Sequence, residues 1–62
     1  MNTAHTLTRD GSHWELYHGA PYADHLIATF TEPKAKAALA IADDLIGEGE
    51  WSQMTPSEYR RK

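Results

Sequence analysis

The chain has 62 residues, nine acidic and six basic side chains, a formal charge of −3 and no cysteine. It can build one small domain, near the lower size limit for independent folding, with neither a disulfide framework nor a thiolate metal site to brace it. The opening MNTAHTLTRD lacks the apolar run of a signal peptide, and AALAIA, the longest such run, is far short of the roughly 20 residues a membrane span needs, so a soluble, cytoplasmic protein without a membrane partner is expected.

The first predicted element is a β-hairpin over HTLTRDGSHWELYH. Asp10-Gly11 is a dipeptide favoured in the two-residue type I′ turn, where both central residues need φ > 0. That turn predicts Arg9 opposite Ser12, Leu7 opposite Trp14 and His5 opposite Leu16. On the other face it sets Thr8 against His13, Thr6 against Glu15, and Ala4 against Tyr17. Apolar alternation assigns Leu7, Trp14 and Leu16 to the core face.

A loop at GAPYAD follows, and HLIATFT reads as a third strand with Leu26, Ala28 and Phe30 on one face and Ile27 and Thr29 on the other. Apolar residues on both faces predict a central strand or one covered on two sides. From Thr31 or Glu32 the period becomes helical, with Thr31 as N-cap and Pro33 in the first turn. Ala35, Ala38, Leu39, Ala42, Leu45 and Ile46 form one stripe, and Gly47 is the expected stop. Lys34 and Lys36 at the start of this helix, and Asp43 and Asp44 at its end, oppose the preference of the backbone dipole.

The tail WSQMTPSEYRRK contains the signature of a helix start. Thr55 and Glu58 have capping-box spacing, Pro56 would occupy the first helical position, and Met54 and Tyr59 the staple positions. The expected fold is therefore α+β: a three-stranded antiparallel sheet, made of a β-hairpin plus a third strand, packed against one amphipathic α-helix, with a short C-terminal helical turn. Residues 1–50 form the β-β-β-α domain, and residues 51–62 dock on it or order on a partner.

Chemistry-bearing motifs are sparse. His5, His13, His18 and His25 show no zinc-type spacing, and His13 is assigned to the opposite face from His5 and His18, so no metal or other cofactor is expected. Asp43 and Asp44 point about 100° apart on a helix, which is wrong for an acid–base pair. No phosphate loop or nucleophile elbow occurs, and no enzymatic activity is expected.

Charge separates two further readings. Arg60, Arg61 and Lys62 hold three of the six bases; before them Arg9, Lys34 and Lys36 face nine acids, a balance of −6. Trp14-Glu15-Leu16, a strand ending ATFT and an alanine-rich helix resemble the three-stranded-sheet-plus-helix modules of the AP2-like and integrase N-terminal class over roughly residues 13–46. That resemblance implies DNA binding through the sheet, where Arg9, His13 and Tyr17 would be contacts; the charge of the basic tip Arg60, Arg61 and Lys62 would add a few more. An acidic body is repelled by phosphate, which disfavours nucleic acid. The favoured reading is a small non-enzymatic interaction or regulatory module that engages a basic protein. Asp43, Asp44, Glu48 and Glu50 would steer the partner, and Trp51, Tyr17 and Tyr22 would anchor it. Inhibitors from phages and mobile elements that fill nucleic-acid-binding grooves are an analogy of class. A homodimer through the third strand or the Ala40 side of the helix is also open.

Overall fold

The computed structural model describes residues 4–61. Strands β1 (His5–Asp10), β2 (His13–His18), β3 (Leu26–Thr31), β4 (Ser52–Thr55) and β5 (Glu58–Arg61) form one antiparallel sheet in the order β3-β2-β1-β5-β4. Helix α1 (Ala35–Ile46) packs on one face, and a short 3-10 turn, Ala23–His25, precedes β3. The sheet thus has five strands instead of the expected three, and β1 lies at its centre.

The tail accounts for the difference. Residues 52–61 form a hairpin whose second strand pairs with β1, Leu7 opposite Tyr59 and His5 opposite Arg61. No helical turn forms there. Thr55 and Pro56 keep the local chemistry of a start, but the Thr55 hydroxyl accepts the N–H of Ser57 at 3.1 Å, closing a tight turn between β4 and β5. Neither Pro56 nor Ser57 has positive φ, as in a type I turn, whose first central position suits proline. The β1 edge then continues the chain as a strand.

The first hairpin also departs from expectation. Its pairs are Arg9–Trp14, Leu7–Leu16 and His5–His18, with Asp10 opposite His13. Gly11 and Ser12 are the turn, and only Gly11 (φ 64°) has positive φ. A type II′ turn needs that at its first central position alone, whereas type I′ would have forced Asp10 to adopt it. The slip is two residues on the partner strand, so every side chain keeps its predicted face. Gly11→Ala should therefore lower stability by about 1–2 kcal/mol, read as an earlier urea midpoint with an unchanged slope.

Strand β3 is an edge, not a central strand. Phe30 pairs with Trp14 and Ala28 with Leu16, but a bulge at Ile27 brings Leu26 opposite Tyr17. The extra residue changes parity, so Leu26 leaves the core face and is 42% exposed. The chain stays extended as far as Glu32, whose N–H bonds the Ser12 carbonyl (2.8 Å) and whose carbonyl accepts the Trp14 indole N–H (2.7 Å). Pro33 favours that extension in the residue before it. Thr31 is consequently a strand residue, and Lys34 takes the N-cap place without a side-chain cap.

The core consists of Leu7, Trp14, Leu16, Tyr59, Ala38 and Ala42, joined by the partly buried Phe30, Ala35, Leu39, Ile46 and Trp51. Ala38 and Ala42 are fully buried, and their small side chains let the helix lie close to the sheet. Leu45, on one flank of the predicted stripe, is 53% exposed. Among the described residues, no helix is long and apolar enough to cross a membrane.

Candidate interaction surface

The acidic end of α1 is organised from within the fold. Gly47 closes the helix, donating its N–H to the Asp43 carbonyl at 2.7 Å. The Asp43 carboxylate then accepts from two directions: the Trp51 indole N–H at 2.9 Å and the Arg61 guanidinium at 3.0 Å. Arg61 also donates to the Ile46 carbonyl (3.3 Å) and lies over the Trp51 ring, 5.0 Å from its centroid. Its side chain is only 8% exposed. A cation therefore meets the negative helix end from the last strand, offsetting the unfavourable acids there. Gly49 leaves room for it, since a Cβ at that position would lie 2.5 Å from an Arg61 terminal nitrogen.

This network divides the predicted surface. Asp43 and Trp51 are engaged inside the molecule, whereas Asp44, Leu45, Glu48 and Glu50 are exposed. Tyr22 lies in the loop before β3, 64% exposed, its ring 5.6 Å from that of His25. Tyr17 is on the helix-free face of the sheet and is buried. Tyr17 is thus on the opposite face of the sheet from the acidic helix end.

On the helix-free face, Thr6 stands between Arg60 and Tyr17, and Thr8 between Glu58 and Glu15. Asp10 and His13 follow at the turn end. Arg60 bonds Glu58 at 2.7 Å. Arg9, proposed from the sequence as a phosphate contact, lies instead over Trp14 (4.5 Å) and donates to the Gly11 carbonyl at 2.9 Å. Lys62 is outside the described residues. This face offers three acids against one paired arginine, a poor match for phosphate.

Burial, followed by the adjacent Glu15 carboxylate and its hydrogen bond, raises the Tyr17 pKa above the usual 10.0; a hydrogen bond from Thr8 opposes this. A folded-state pKa raised in this way gives stability that is complete below the unfolded value and is lost as pH rises through the folded one. Unfolding free energy should accordingly fall above about pH 10. Phenolate absorbance should show a late titration step that disappears in Tyr17→Phe.

His5 and His18 are direct cross-strand neighbours with rings 5.4 Å apart and edge to face. Among the described residues no group of three potential ligands converges on a metal position. A groove of about 550 Å³ opens where β1 starts and β5 ends, between Thr6, Ala20, Met54 and the two arginines, both already bonded to carboxylates. Comparison of the chain with protein-family models, curated proteins and solved structures gave no match.

Proposed function

We propose that this chain is a small non-enzymatic protein-interaction module whose contact surface is the acidic end of α1. The observation that carries this reading is the division of labour among the acids. Arg61 neutralises Asp43 within the fold, while Asp44, Glu48 and Glu50, like Leu45, remain exposed. From Ala37 to Tyr59 the sequence supplies no base to answer them. Such a surface attracts a basic protein over distance and offers an apolar side chain at contact.

Reversing Asp44, Glu48 and Glu50 to lysine, with Asp43 kept because it holds Arg61, tests the reading. Immobilised wild-type chain is expected to capture a basic protein at low salt and release it as salt rises, and the reversed chain to capture none. Equal capture by both chains overturns the proposal.

A further inference from the structure

We propose that the end of α1 is a binding cradle for an arginine side chain, filled at rest by the chain's own Arg61 and by a basic partner's arginine when Arg61 withdraws. The inference deepens the reading above by naming the group such a partner presents. Its test uses arginine alone, so it stands or falls apart from partner capture.

The cradle has three walls. The Asp43 carboxylate lies 3.0 Å from one terminal nitrogen of Arg61, the Ile46 carbonyl lies 3.3 Å from the other, and the centroid of the Trp51 ring is 5.0 Å from the guanidinium carbon. Each wall is set without Arg61. The Trp51 indole N–H holds the same carboxylate oxygen at 2.9 Å, so Asp43 is positioned before a cation arrives. Ile46 is the last residue of α1, and its carbonyl is among the four that a helix leaves without an internal partner. The helix dipole favours a cation at this end. Gly49 completes the slot, since a Cβ there would lie 2.5 Å from Nη1 and 2.9 Å from Cζ of Arg61. A planar guanidinium with two parallel donors and a face for the indole satisfies all three walls, whereas an ammonium is a point charge that meets only the carboxylate.

Arg61 is also placed to leave. It is the last residue of β5 and pairs with His5, the first of β1, and strand ends fray at little cost. Tyr59 keeps β5 paired with β1 through Leu7. Arg61 is therefore a tethered competitor for the cradle, present at an effective concentration of millimolar or more.

The test titrates the full chain carrying Arg61→Ala with N-acetylarginine amide and, in parallel, with N-acetyllysine amide at matched ionic strength. The arginine probe should bind saturably, raising the thermal midpoint and shifting the Trp51 indole N–H resonance, while the lysine probe moves neither. Wild type should bind the arginine probe at least about ten-fold more weakly, because Arg61 competes. Adding Gly49→Ala to Arg61→Ala should abolish the response by filling the slot without changing any charge. If Arg61→Ala alone is unfolded, the titration is read as recovery of the folded circular dichroism spectrum, since a ligand that binds only the folded chain stabilises it. No response to the arginine probe overturns the proposal. So does an equal response to lysine, which would leave charge alone as the cause. An equal response from wild type, or one that survives Gly49→Ala, would put the binding outside the cradle and overturn it as well.

Discussion

Replacing Trp14 by alanine should abolish the cooperative unfolding of this chain. Trp14 is the largest fully buried side chain, packs 6.0 Å from the Tyr59 ring, and donates its indole N–H to the Glu32 carbonyl. It joins the first hairpin, the extended segment leading into α1 and the C-terminal hairpin. Truncating a buried tryptophan costs about 3–5 kcal/mol, and a core of this size rarely supplies more than about 3–5 kcal/mol in total. Circular dichroism of the variant should lose its sharp thermal transition. Trp14→Phe keeps most of the ring but removes the indole donor, and should stay folded with a loss of about 1–2 kcal/mol. A cooperative Trp14→Ala transition near the wild-type midpoint would show that this residue is not the keystone of the core.

The second large effect belongs to Arg61, and its neighbour Arg60 is the control. Arg61 is nearly buried and joins Asp43, Trp51 and the Ile46 carbonyl. Arg61→Ala leaves the partly buried Asp43 carboxylate without its cation and should cost about 2–4 kcal/mol. Arg60 pairs with Glu58 at the surface, its side chain 54% exposed, and Arg60→Ala should cost at most about 1 kcal/mol. Urea unfolding of the two variants makes the comparison. If the arginine pair is followed by Asp43→Ala and the double variant, the Arg61–Asp43 coupling should be clearly larger than any measured for Arg60–Glu58. Equal losses for the two arginines would mean that the tail contributes through its backbone pairing alone.

These effects also explain an apparent fault in the sequence. Asp43 at the end of a helix opposes the backbone dipole, and read along the chain it has no compensation. Its compensation lies 18 positions away on β5. Lys34 and Lys36, at the other end, are exposed, where solvent screens the cost. Of the two acids that break this rule, Asp43 is held by a distant partner, and Asp44 is exposed, where solvent screens the cost.

The sequence alone determined what is periodic and local: the strand alternation of Leu7, Trp14 and Leu16, the helical stripe through Ala38 and Ala42, the stop at Gly47 and the acidic excess. Even with the first hairpin slipped by two residues, the faces survived, because a strand repeats every two residues. Tertiary structure decided the rest. Thr55-Pro56-Ser57 suits a helix start and a type I turn alike, since both begin with the same backbone angles. The hydrogen-bonding edge of β1 turned that segment into strands. Likewise, no local signal revealed that Arg61 would reach Asp43, or that a bulge at Ile27 would turn Leu26 outward. Pairing between distant strands carries no short-range signature, so it is settled only when the whole sheet assembles around the helix.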